Sequence, residues 1–126
     1  MASGRLKLGR LHKEVKEAAE WCLAWADHYD VPVTVTSGFR SWQDQATLRR
    51  NYENCLTRGE FGLTARCQFP ANKPGDSSHN FGFSWDSVVP PQYQDWWTDV
   101  RRMAGFEVLP GDLIHAQVPN WRAHVS

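Results

Sequence analysis

The sequence predicts an α+β fold: a small, mostly antiparallel sheet with about three helices packed on it. Three observations carry this. Apolar residues recur at spacings of three and four in three stretches. Short β-branched or alternating runs, bounded by Gly, Pro, Asn and Asp, stand between them. The whole has 126 residues, the length of one domain. A chain this long can bury roughly two-thirds of its unfolded surface.

The elements follow in order. Residues 1–8 show no periodicity and read as a loose arm. Over residues 9–28, Leu11, Val15, Ala18, Ala19, Cys22, Leu23 and Ala26 form one helical stripe, with Lys13, Lys16, Glu17 and Glu20 on the other side. Trp21 and Trp25 flank that stripe and are expected to cover a neighbouring element. Residues 30–36 alternate, with Val31, Val33 and Val35 on one face and Thr34 and Thr36 on the other, which predicts a half-buried strand. Ser41, with Asp44 three residues on, starts a second helix that runs to about residue 55 or 56. Arg40 thus stands on a strand-to-helix corner.

Gly59, Gly62, Pro70, Pro74 and Gly75 mark residues 57–78 as a long loop, expected to form part of a substrate groove. Residues 81–89 read as a strand, stopped by Pro90-Pro91, which opens a third helix. Trp96, Val100 and Met103 mark its face, widened by Trp97 and Ala104, and Gly105 ends it. A short strand over 106–109, a turn at Pro110-Gly111 and a final strand over 113–118 follow. Residues 119–126 read as an irregular tail. The chain shows no repeat, linker or low-complexity segment, so residues 1–126 are expected to form a single domain with no separate binding domain.

Chemistry gathers in one stretch, Ser77-Ser78-His79-Asn80-Phe81-Gly82-Phe83-Ser84-Trp85-Asp86, answered by Asp112-Leu113-Ile114-His115. Two imidazoles and two carboxylates form a nitrogen and oxygen donor set that Zn2+ accepts. Catalytic zinc takes three protein ligands and keeps a position open, with an acidic group nearby to receive a proton. The division expected here is His79, Asp86 and His115 on one Zn2+ ion at the sheet edge, and Asp112 as the base. His79 and Asp86 are seven apart, which would put them on opposite faces of one regular strand. His79 therefore belongs to the loop and Asp86 to the strand, with Gly82 permitting the bend. Pro110-Gly111 places Asp112 in a turn. Any one of these residues alone would be better read as structural; the order of the four carries the inference. Trp85 alternates away from Asp86 and reads as core. His12, His28 and His124 read as surface.

The pattern Ser-x-His-x-x-Gly-x-Ser-x-Asp, followed by Asp-x-x-His, resembles the signature of the M15 zinc peptidases, whose first block usually has Ala where Ser84 stands. Ile114 and Ala116 replace the Pro and Phe common in the second block, while Gln117 is retained. Ser37-Gly38-Phe39-Arg40-Ser41 is similar to that family's Ser-Gly-Tyr-Arg-Ser. The resemblance spans about residues 33–118. It implies a peptidase that acts on the stem peptide of bacterial peptidoglycan. Asp112 would take a proton from the attacking water and pass it to the leaving amine, and Arg40 would stabilise the carbonyl oxygen as it becomes negative. Asp at the base position points to the L-alanyl-D-glutamate endopeptidases of phage endolysins. The alternatives are a D-alanyl-D-alanine carboxypeptidase, a virion-associated peptidase, and an inactive zinc-containing binding module, against which retention of Asp112 and Arg40 speaks. Ser77 reads either as a ligand-orienting group or as a turn cap, and Asn80 and Gln117 as groups that orient the imidazoles.

Composition sets the outer limits. Lys plus Arg equals Asp plus Glu, at 14 each, so bulk charge predicts attraction neither to nucleic acid nor to membrane. No apolar run reaches spanning length and the first ten residues lack the apolar stretch of a signal peptide. The expectation is a monomer made in the bacterial cytoplasm, released to the wall through a holin pore. Three cysteines, Cys22, Cys55 and Cys67, cannot all pair within one chain, and free thiols are expected.

Overall fold

A computed structural model describes residues 2–58 and 77–125. The groove segment expected over residues 57–78 therefore lies mostly outside the described residues, as do Cys67 and the Cys55 side chain. Three helices, α1 (Lys13–His28), α2 (Trp42–Arg58) and α3 (Gln94–Met103), accompany four strands, β1 (Thr34–Ser37), β2 (Ser84–Val88), β3 (Glu107–Leu109) and β4 (Asp112–Gln117). The strands pair antiparallel in the order β1-β2-β4-β3. Among the described residues, no helix is long and apolar enough to cross a membrane.

Strand alternation gives the sheet two unlike faces. Val35 pairs with Ser87, and Trp85 pairs with Ala116; these four side chains are buried beneath the helices. Asp86 pairs with His115 and Ser84 with Gln117, which turns Asp86, His115 and Gln117 to the opposite face. The expected valine stripe points inward, with Val31, Val33 and Val35 all buried. The α1 stripe does the same through Val15, Ala19, Cys22, Leu23 and Ala26, although the helix begins at Lys13 rather than residue 9. Ser41 Oγ accepts from the Asp44 backbone N–H at 3.0 Å and so caps α2 as its sequence suggests.

Four details depart from the sequence reading. Residues 2–8, expected as part of a loose arm, are docked. Ser3 N–H donates to Val33 O and Ser3 O accepts from Val35 N–H, both at 2.8 Å, and Leu8 is wholly buried. The tail holds a 3-10 turn, Trp121–His124, whose Trp121 packs near Phe81. The buried face of α3 is Trp97, Thr98, Val100 and Arg101, while Met103 is 72% exposed. The rotation follows from Trp97, whose indole N–H donates to the buried Ser87 Oγ at 2.8 Å. Finally, Trp21 and Trp25 stay more than a third exposed, joined to each other and, through Tyr29, to Trp96.

Arg101 fastens α3 to the strand that carries His115. It is completely buried, and its guanidinium donates to Leu113 O at 2.6 Å and Ile114 O at 3.2 Å. Burial lowers its pKa to about 10, still well above neutrality, so the group stays charged. Arg101→Met keeps the stem but leaves those carbonyls without their donor. We expect a loss of about 2–3 kcal/mol, read as a lower urea midpoint at unchanged slope; an unchanged midpoint would mean water replaces the guanidinium at no cost.

Candidate metal centre

The site is built where β1 ends and β2 begins. Ser78–Phe81 forms a 3-10 turn that lifts His79 out of strand geometry. Ser77 caps it, its Oγ accepting from the His79 backbone N–H at 3.3 Å. Gly82 closes it at φ +72°, and a Cβ there would stand 2.8 Å from His12 N, so only glycine turns the chain into β2 without strain. The β1 end is distorted in concert, with a register shift between Val35 and Ser37 that sets Ser37 opposite Asp86. Gly38 follows. A Cβ on it would collide with Lys7 O, so its backbone can lie this close only as glycine.

Three donors then converge. His79 Nε2 lies 3.3 Å from Asp86 Oδ2, and His115 Nδ1 lies 3.0 Å from Asp86 Oδ1. One ligand atom from each residue falls within 4.8 Å of the others. His79 is buried, while Asp86 and His115 are partly open, their side chains 20% and 17% exposed. The outer ring nitrogens are already engaged. His79 Nδ1 is 2.8 Å from Gly38 O, and His115 Nε2 is 2.8 Å from Gln117 Oε1. A carbonyl oxygen only accepts, so each outer nitrogen carries the ring's proton and each inner nitrogen presents a lone pair to Asp86.

Two lone pairs and a carboxylate facing one another need a cation between them. Ligand atoms held at about 2.0–2.2 Å from one tetrahedral Zn2+ would stand roughly 3.3–3.6 Å apart; the two contacts at 3.3 and 3.0 Å are near that spacing, and the trio as a whole lies within 4.8 Å, a small closing movement away. The donor set and its tautomers therefore fit a single divalent ion. Protons can take the same place. Burial raises the Asp86 pKa, but hydrogen bonds from His115 and His79 outweigh it and hold the carboxyl well below the usual carboxylate range. For His115, burial lowers the pKa, and the contacts with Asp86 and Gln117 reverse that, leaving it above 6.5.

The other sequence-flagged residues fall around this trio. Asp112 opens β4, paired with Leu109, and is exposed; it stands outside the three-residue cluster, near enough for its charge to act on His115 and Arg101. It is therefore the first residue of the strand, not part of the turn. Arg40 donates to Gln45 Oε1 at 2.9 Å and Ser37 Oγ at 3.3 Å, and its backbone N–H donates to His79 O at 2.9 Å. The Asn80 side-chain amide donates to Arg40 O at 2.8 Å and ties the 3-10 turn to the corner. Three participants have roles left unassigned by the sequence reading: Gly38 as an acceptor, Ser78, whose Oγ donates to Ser84 Oγ at 2.8 Å beside His115, and Glu107, which accepts from Gln117 Nε2 at 2.6 Å and alone lies outside the sequence motifs. A groove of about 540 Å³ adjoins the corner, lined by Lys7, Arg10, Phe39, Arg40 and Asp44 among others and by none of the three donors.

A family model described as VanY, D-alanyl-D-alanine carboxypeptidase, matches residues 9–106, which includes His79 and Asp86 and stops short of β4. No curated protein sequence matches the chain. Among solved structures, the Serratia marcescens L-Ala D-Glu endopeptidase ChiX is 18% identical, with a TM-score of 0.63 over 100% of this chain and 95% of its own. The LD-carboxypeptidase LdcB is 20% identical, with a TM-score of 0.64 over 92% of this chain and 72% of its own. A Zn(II)-bound variant of the vancomycin-resistance D,D-pentapeptidase VanY is 16% identical, with a TM-score of 0.63 over 90% and 75%. At these identities the likeness is one of fold.

Proposed function

The chain belongs to the VanY D-alanyl-D-alanine carboxypeptidase family of M15-type zinc peptidases, and on that premise we propose that it is a zinc-dependent peptidase acting on the peptidoglycan stem peptide. One observation carries the proposal: His79 Nε2, the Asp86 carboxylate and His115 Nδ1 converge while both outer ring nitrogens are occupied by acceptors. Zinc held by these three residues supplies a Lewis acid that makes water a competent nucleophile near neutral pH.

The protein's own groups do the rest. Gly38 O and Gln117 Oε1 keep the protons of His79 and His115 on the outer nitrogens. Asp112, exposed at the start of β4, takes the proton from the attacking water and passes it to the leaving amine. Arg40, tethered at its corner by Gln45 and Ser37, directs its remaining N–H groups to the carbonyl oxygen that gains charge. Lys7, Arg10 and Arg40 outnumber Asp44 along the adjoining groove, a balance suited to the carboxylates of a stem peptide.

For the bond cut, the first reading is the L-alanyl-D-glutamate linkage. Asp at position 112 supports it, and so does the near-complete mutual coverage with an endopeptidase fold. The lytic role of a phage endolysin is the setting that goes with it. The second reading is removal of a terminal D-alanine, favoured by the description of the matching family. Digestion of purified peptidoglycan, followed by mass spectrometry, separates them. New N-terminal D-glutamyl ends are expected; released D-alanine would move the assignment to a carboxypeptidase. No fragments from zinc-loaded protein would leave a binding module and refute the peptidase.

A further inference from the structure

The contacts around His115 continue one residue further than the metal chemistry requires. Glu107 and Gln117 are register partners across β3 and β4, and Gln117 Nε2 donates to Glu107 Oε1 at 2.6 Å, a length typical of a charge-assisted bond. The same amide's Oε1 sits 2.8 Å from His115 Nε2. A glutamine amide has two ends that differ little in shape but are opposite in hydrogen bonding. Turned about, it would aim an N–H at His115 Nε2. That nitrogen would then have to accept, and the ring's single proton would move to Nδ1. There it would meet Asp86 Oδ1, 3.0 Å away, in a good hydrogen bond. The site thus has two self-consistent arrangements, and only one leaves a lone pair on Nδ1 for a metal.

We propose that Glu107 is a positioning residue that selects between them: as an acceptor on an adjacent strand it holds the Gln117 amide with its carbonyl towards His115, and so keeps the proton off the nitrogen that faces Asp86. An ionised carboxylate only accepts, so the reversed amide would set oxygen against oxygen at 2.6 Å. The backbone pairing of Glu107 with Gln117 keeps this acceptor in place. The inference rests on reading His79, Asp86 and His115 as metal ligands, and gives Glu107 a role in the tautomer rather than in contact with substrate.

The test compares wild type, Glu107→Ala and Glu107→Gln. Side-chain nitrogen NMR of the metal-free proteins, at a pH where His115 is neutral, reads the tautomer. Competition with a chromophoric chelator reads zinc affinity. Wild type should carry the proton on Nε2. Glu107→Ala should show an Nδ1-protonated population and bind zinc about tenfold more weakly, the lower end of the range for partners of metal-ligating histidines. Glu107→Gln should fall between the two in both readouts, because an amide at 107 can accept from Gln117 but, turned about, can also donate to it. Unchanged tautomer and affinity in Glu107→Ala would overturn the proposal. So would an equal loss in both variants with the proton still on Nε2, since that would make charge, not orientation, the cause. If Glu107→Ala fails to fold, the reversed pair Glu107→Gln with Gln117→Glu decides. A carboxylate at position 117 must accept from His115, so zinc affinity at or above wild type supports the proposal and a tenfold loss refutes it. A wild type that takes up no zinc would fault the proposed function, while the metal-free tautomers still judge the role of Glu107.

Discussion

Asp86→Asn should abolish zinc uptake at micromolar metal and, with it, peptidoglycan cleavage. Asp86 contributes the only charge among the three donors and touches both imidazoles, at 3.3 and 3.0 Å. An amide keeps the shape but not the charge, and its NH2 group would set a donor where a ligand is needed. The loss should exceed the roughly 10–100-fold that outer partners of a metal site command. Equilibrium dialysis with metal analysis reads it directly, and a variant that still binds zinc stoichiometrically would remove Asp86 from the ligand set.

The same substitution should change how the metal-free protein responds to pH. Asp86 titrates below its ordinary 3.8, so its contribution to stability is present above that value and fades as pH falls through the depressed one. His115 titrates above 6.5, so its contribution is complete below 6.5 and fades as pH rises through the raised one. Metal-free wild type should therefore melt highest between the two and lose stability on the alkaline side. Asp86→Asn should flatten that alkaline decline, because the carboxylate that holds the proton on His115 is gone. Zinc competes for the same positions, so metal affinity should weaken as pH falls.

How much of this was legible before the structure depended on how far apart the partners lie. Val31, Val33 and Val35 show their buried face by alternation, and Ser41 with Asp44 shows a helix start, because both patterns are local. His79 and Asp86 are close enough in sequence for one motif to hold them. Their pairing with His115 needs the register Asp86↔His115, and that is set by strand order, with β2 and β4 the inner strands of the sheet. The ligands thus stand on the face of the sheet turned away from Trp85 and Ala116. Arg101 shows the limit more sharply. A second arginine beside Arg102 near a helix end reads as a solvated charge, yet it is buried because carbonyls twelve and thirteen residues away receive it. Leu8 is hidden for a similar reason, since backbone bonds to β1 dock the first residues and nothing in their composition says so. The Asn80 amide meets the carbonyl of Arg40, forty residues back, a partner that no local pattern names. Donor type is written in sequence; direction is decided by packing.

Asp112→Ala should separate chemistry from metal binding. If Asp112 moves the proton, kcat should fall by about 10²–10⁴, the usual worth of a positioned general acid or base, while zinc content and KM stay near wild type. The position allows this. Asp112 is exposed at the mouth of the β3–β4 hairpin and stands outside the three-donor cluster, so its loss removes no ligand and empties no core. Its charge also acts on His115 and Arg101, so a purely electrostatic part of the effect must be told from proton transfer. Asp112→Asn removes the charge and the basicity together, whereas Asp112→Glu restores both on a longer stem. Proton transfer predicts a fall in kcat in Asp112→Ala and Asp112→Asn alike and partial recovery in Asp112→Glu, with zinc content unchanged in all three. A fall of less than tenfold in Asp112→Ala would move the base elsewhere and leave Asp112 as a surface residue that only tunes the field at His115.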